Sequence, residues 1–131
     1  DRSSAASDVY KRQDKGFMFD NHQLAQILVN LINNGLRFSS KTQPHAFVTL
    51  QVYESGKSIH IDVIDTGHGV AKENIQYLFN PFFTTDSQGT GLGLYLSQAF
   101  CQANYANLEY VRSEGQTCFR MICQTKTLPS V

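Results

Sequence analysis

Two runs of β-branched and aromatic residues, each doubled back on itself around a glycine, constrain this chain most, because paired hairpins need a second layer to cover one sheet face. Phe47 to Tyr53 and Ser58 to Asp65 flank the turn Ser55-Gly56-Lys57, and Leu108 to Arg112 and Gln116 to Cys123 flank Glu114-Gly115. Ahead of the first hairpin, Leu24, Ile27, Leu28, Leu31 and Leu36 recur at helical spacing behind Asp20, a good N-cap residue, and predict a helix over about 21–38. Between the hairpins, Lys72 to Phe79 reads as a short helix and Pro81 to Gln88 as an irregular loop. Leu92 to Gln102 reads as a second long helix opened by glycines. This order predicts an α+β sandwich with helices on one face of the sheet.

At 131 residues the chain has room for one domain of the usual roughly 100–200 residues. Its 41% hydrophobic and 17% charged residues supply enough apolar material for a core. Eleven Lys+Arg balance eleven Asp+Glu, so neither nucleic acid nor an anionic membrane surface is an expected partner. Cys101, Cys118 and Cys123 are odd in number and lack metal-ligand spacing, which argues against a disulfide framework and a zinc site and fits a reducing compartment. The longest charge-free stretch, Ser87 to Leu108, holds Gln88, Gln98, Gln102, Asn104 and Asn107, all costly in hydrocarbon, so no transmembrane span is expected. Ser3 to Gln13 (SSAASDVYKRQ) resembles the in-frame translation of a sequencing-library adapter. Residues 1–13 are therefore set outside the fold, a disordered tail being the alternative, and the domain is expected over 14–131, with the natural sequence upstream of Asp14 missing.

Four short segments carry the chemistry: Asn30-Leu-Ile-Asn-Asn34, Asp65-Thr-Gly-His-Gly69, Phe79-Asn-Pro-Phe-Phe83 and Gly89-Thr-Gly-Leu-Gly93. Asn30 and Asn34 are four apart and share one helix face, and amide oxygens suit Mg²⁺, which completes its shell with waters and phosphates. A solvated polar stripe has the same spacing. Asp65 ends an apolar strand, and Gly67 and Gly69 let the backbone turn tightly beside a ligand. Its carboxylate can accept a hydrogen from an adenine amino group, or close an Asx turn. Gly89 to Gly93 precedes a helix, whose free N–H groups and dipole suit phosphate. Phe82 and Phe83 fit either a lid or a core, and His68 has no assigned role.

In order and spacing these segments resemble the N box, first glycine box, F box and second glycine box of the ATP-binding catalytic domain of sensor histidine kinases. The resemblance covers about residues 19–123 and extends to Gly115-Gln-Thr117-Cys-Phe119. It implies a Bergerat-type two-layer α/β sandwich, with a mixed, mostly antiparallel sheet covered on one face by about three helices, and an ATP lid. It implies that Asn34 binds Mg²⁺, that Asn30 is catalytic, and that Arg37 pairs with phosphate oxygens where the family more often has lysine. Asp65, Gly67, Gly69 and Val70 would hold the base, with Thr117 reaching adenine through water. Phe82, Phe83, Thr84 and Thr85 would form the lid, and Gly89, Thr90, Gly91, Leu92, Gly93 and Leu94 the phosphate loop.

The function so implied is binding of Mg·ATP and transfer of its γ-phosphoryl group to a histidine on a separate dimerisation hairpin, for relay to a response regulator. Related ATPases and serine kinases carry Glu where this chain has Asn30, and an amide cannot act as a base, which disfavours hydrolysis. A nucleotide-binding module without phosphotransfer is the alternative. None of His22, His45, His60 and His68 is followed by the acidic residue of the family's acceptor, so the acceptor is expected upstream or on another protein. Gly35 replaces a usual Ala, Asn80 a common Glu and Asp86 a common Lys. The short lid and the run Tyr95 to Asn104 are similar to nitrogen-regulator and type IV pilus sensor kinases, whose cytoplasmic catalytic domains usually belong to proteins anchored in the bacterial inner membrane.

Overall fold

A computed structural model describes residues 15–85, 89–113 and 115–127; the expectations placed on residues 1–13, Asp86, Gln88 and Glu114 fall outside them. Helix α1 runs Asn21–Ser39, and Asp20 caps it by accepting the Gln23 amide at 2.9 Å, an interaction worth about 1 kcal/mol. A two-residue strand β1, Lys15–Gly16, precedes it and pairs with β6, Lys126–Thr127. The first hairpin is β2, Thr49–Ser55, with β3, Ser58–Asp65. The second is β4, Asn107–Ser113, with β5, Gln116–Gln124. Between them lie α2, Lys72–Ile75, and α3, Gly93–Ala103.

The hairpins meet along β3 and β5, giving the order β2-β3-β5-β4 with every neighbouring pair antiparallel. The sheet, expected to be mixed but mostly antiparallel, is antiparallel in all its described strands, since no crossover joins adjacent strands in the same direction. The helical cover also comes from two helices rather than three: α1 lies on β3, α3 packs on α1 and β4, and α2 is one turn with no buried residue. Ile27 and Leu31 of α1 and Cys101 of α3 close on Ile61, Val63, Leu108, Phe119, Met121 and Cys123 of the sheet. Each fully buried aliphatic side chain contributes about 1.5–3 kcal/mol.

Strand β2 is exposed along its whole length, including Leu50 and Val52, although their partners Val63 and Ile61 are core. Gly35 brings α1 close to the chain entering this strand: a Cβ there would stand 2.6 Å from Val48 Cγ1, a packing reason for the missing methyl.

On the opposite face of the sheet Asp62 is buried and accepts from Arg120 Nε at 2.9 Å, Arg120 Nη2 at 3.2 Å and Tyr53 Oη at 2.8 Å. The three cysteines are free and buried, and burial pushes the Cys101 and Cys118 thiols up to about 12 and Cys123 to about 11, which keeps them protonated and inert. No described helix is long and apolar enough to cross a membrane.

Candidate functional site

A cavity of roughly 300 Å³ is lined by α1, the start of α3, the turn after β3 and the sheet. Helix α1 contributes Asn30, Asn33, Asn34, Arg37 and Phe38. The turn after β3 contributes Asp65, Gly69 and Val70, and the expected lid contributes Phe83, Thr84 and Thr85. Gly89, Thr90 and Gly91 lead into Gly93 and Leu94 at the start of α3, while Tyr110, Thr117 and Phe119 form the floor. Residues separated by up to 89 positions thus share one cleft.

Three expected site residues do not line it. Gly67 lies behind the cleft, where a Cβ would come 2.8 Å from Phe38 Cβ and 2.9 Å from Asp65 Oδ1. Leu92 is the N-cap position of α3, its amide donating to Thr90 Oγ1 at 3.3 Å. Phe82 is 73% exposed, which excludes the core alternative and is compatible with a lid. Phe83 does both jobs once held apart: it packs against the core, its ring 5.9 Å from Tyr77, and it faces the cleft.

At one end stands Asp65, 4% exposed and directly opposite Thr117 in the β3–β5 register. Its Oδ1 accepts the Gly67 amide at 2.8 Å, so the Asx turn is real. A carboxylate has a second oxygen, so the turn and a ligand contact do not exclude each other. The turn is fastened from two further sides. Ser39, fully buried at the end of α1, accepts the Thr66 amide at 3.1 Å and donates to the Phe47 carbonyl at 3.1 Å. Tyr110 Oη accepts the Val70 amide at 2.9 Å, and the Arg112 guanidinium fills the space a Cβ on Gly69 would need. Neither Ser39, Tyr110 nor Arg112 stands out in the sequence, because a serine late in a helix and a tyrosine in a strand are ordinary packing residues until their partners are known.

The other end is built from α1 and the start of α3. Gly93 lies next to Asn30: a Cβ there would stand 4.0 Å from the Asn30 amide carbon, in ordinary contact. The free N–H groups of an 11-residue helix therefore open beside the asparagine face. Asn34 Oδ1 accepts from Arg37 Nη2 at 2.7 Å. Neutral amides suit a hard cation that takes most of its ligands from water and phosphate, and the described residues hold no cluster of three His, Cys, Asp or Glu that would make a self-sufficient metal cage. The residues present thus fit Mg²⁺ arriving with a phosphate ligand. The Gly91 carbonyl accepts the Phe82 amide at 2.8 Å, tying the glycine loop to the lid.

Residues 19–127 match the family model described as Histidine kinase-, DNA gyrase B-, and HSP90-like ATPase. Sensor protein kinase PilS of Pseudomonas aeruginosa is 44% identical over 119 residues, 88% of this chain and 21% of that protein. Sensor histidine kinase ZraS of Escherichia coli K12 is 31% identical over 97 residues, 74% of this chain and 20% of that one. The chain spans about a fifth of the length of these curated relatives. Among solved structures, full-length ShkA in complex with AMPPNP aligns with a TM-score of 0.73 at 27% identity, over 90% of this chain and 25% of that one. The nucleotide-free catalytic domain of histidine kinase ThkA aligns with a TM-score of 0.69 at 22% identity, over 81% of this chain and 68% of that one, a likeness of fold.

Proposed function

The chain belongs to the histidine kinase-, DNA gyrase B- and HSP90-like ATPase family, and from that membership we propose that it binds Mg·ATP and donates the γ-phosphoryl group to a histidine on a separate dimerisation hairpin, for relay to a response regulator. The observation that carries the reading is one cleft with a buried carboxylate at one end and two asparagines against a helix N-terminus at the other. That spacing of features suits adenine at Asp65 and phosphates at Asn30, Asn34 and Gly93. Gly89 to Gly93 would meet the phosphates through backbone N–H groups, and Arg37 through its planar fork. Mg²⁺, held by Asn34, would supply charge neutralisation at the phosphates when bound.

In the proposed transfer the bond from the γ-phosphorus to its bridging oxygen breaks, a bond to an imidazole nitrogen forms, and ADP leaves. An imidazole lone pair needs no base, which suits Asn30, so catalysis is positioning and electrostatics. The similarity to PilS and ZraS supports a full-length sensor kinase anchored in the bacterial inner membrane, with this domain, residues 14–131, on the cytoplasmic side.

Incubating the domain with radiolabelled ATP and a separately supplied acceptor hairpin tests the reading. Acid-labile label is expected on the hairpin and not on His22, His45, His60 or His68. Tight ATP binding with no labelled hairpin would replace the kinase by a nucleotide-binding module.

Base recognition has its own test. Adenine presents an amino donor where guanine presents a carbonyl acceptor, and an ionised Asp65 only accepts. Asp65→Asn is expected to weaken ATP binding by about 1.5–3 kcal/mol and to narrow the preference for ATP over GTP, both read by calorimetric titration. An unchanged ratio would reduce Asp65 to its turn with Gly67.

A further inference from the structure

We propose that Tyr110 is a positioning residue for the base end of the cleft, setting the aim of Asp65 through the turn between them; the proposal rests on the nucleotide reading above. Tyr110 reaches this turn from the far edge strand β4, 40 residues along the chain from Val70. Its ring is held in place, lying against Phe119 with centroids 5.4 Å apart, and the cross-strand register makes these two residues direct partners. The hydroxyl is therefore delivered by a rigid strand to the Val70 amide at 2.9 Å.

The consequence passes along the six residues from Val70 back to Asp65. Val70 closes the segment that begins at Asp65, and the Gly67 amide inside it grips Asp65 Oδ1 at 2.8 Å. Wherever Gly67 sits, Oδ1 follows, and the orientation of Oδ2 follows Oδ1. Gly69 has φ +80 and Arg112 packed in place of a Cβ, so this segment follows a tight backbone path that β4 braces twice. Removing the Tyr110 hydroxyl takes away the brace at the Val70 end of the turn while leaving the Arg112 contact, the ring, the core contact and the Asp65 carboxylate in place.

The test is a double-mutant cycle of Tyr110→Phe and Asp65→Asn, with ATP and GTP titrated calorimetrically against the wild type and all three variants. Tyr110→Phe alone is expected to weaken ATP about three- to tenfold, to narrow the ATP/GTP ratio, and to speed hydrogen exchange at the Val70 amide. In the Asp65→Asn background the same change is expected to have less than about a twofold effect on ATP, because the group it aims is gone. A Tyr110→Phe protein that keeps the wild-type ratio, or whose loss is equally large with Asn at position 65, would overturn the proposal. These outcomes leave the nucleotide reading standing, since that reading fails only if the wild type itself binds no ATP.

Discussion

Asn34→Ala is expected to reduce transfer of labelled phosphate to a supplied acceptor hairpin by more than about a hundredfold. Groups that merely support a metal ligand are worth roughly 10–100-fold, and Asn34 is proposed as the ligand itself. The fold should remain. Alanine suits a helix interior better than asparagine, and this gain offsets most of the loss of the 2.7 Å bond to Arg37, worth about 0.5–1.5 kcal/mol. A thermal midpoint close to the wild type together with lost transfer is thus the expected pair of results. Normal transfer by Asn34→Ala would overturn the proposed ligand role of Asn34.

Gly91→Ala should be almost as damaging, for a steric reason. Gly91 has φ +75, and an added Cβ would stand 2.3 Å from the carbonyl carbon and 2.6 Å from both Cα and O of Phe82. All three atoms are backbone, so no rotamer change relieves the clash. The left-handed conformation costs a non-glycine residue about 1–2 kcal/mol and overpacking about 1–3 kcal/mol more. The glycine loop and lid must part, and the bond from the Phe82 amide to the Gly91 carbonyl breaks with them. Nucleotide affinity is expected to fall by roughly 2–5 kcal/mol, measured by calorimetric titration with a non-hydrolysable ATP analogue. Gly56→Ala is the control: Gly56 has φ +61 but nothing within 4 Å of a Cβ, so that variant should lose a little stability and no affinity. Wild-type affinity in Gly91→Ala would show that the loop and lid need not touch.

Legibility in the sequence followed the range of the interaction. Helix α1 was readable because its leucines repeat within a few residues of one another and Asp20 caps Gln23 three positions away. The hairpins were readable from their own turns, and the cleft from segments whose glycines and asparagines carry local chemistry. What escaped depends on register between distant strands. Strands β1 and β6 pair two residues with two across 110 and 112 positions, too short a match for any pattern to show. Tyr110 reads as a strand residue until β4 is placed beside β5 and its hydroxyl meets Val70. Whether Phe82 belonged to lid or core stayed open for a different reason: its left-handed φ of 68 accompanies a side chain exposed to solvent, a backbone fact that composition does not carry.

The ion pair between Asp62 and Arg120 favours one pairing frame of the sheet over its neighbours. Thr117, Phe119 and Met121 face the helices because β5 pairs with β3 in one frame, which sets Asp62 opposite Arg120 and Asp65 opposite Thr117. A frame shifted by one residue would turn Thr117 and Phe119 outward and carry the Arg120 charge into the apolar layer. It would also strand the buried Asp62 carboxylate without its partner, at a cost below the roughly 3–5 kcal/mol of a fully buried pair because Arg120 is partly exposed. Misaligned chains are therefore discriminated against by residues on the back of the sheet, remote from any nucleotide. Substitutions there would reduce the yield of correctly assembled protein while leaving the activity of each correctly assembled molecule intact.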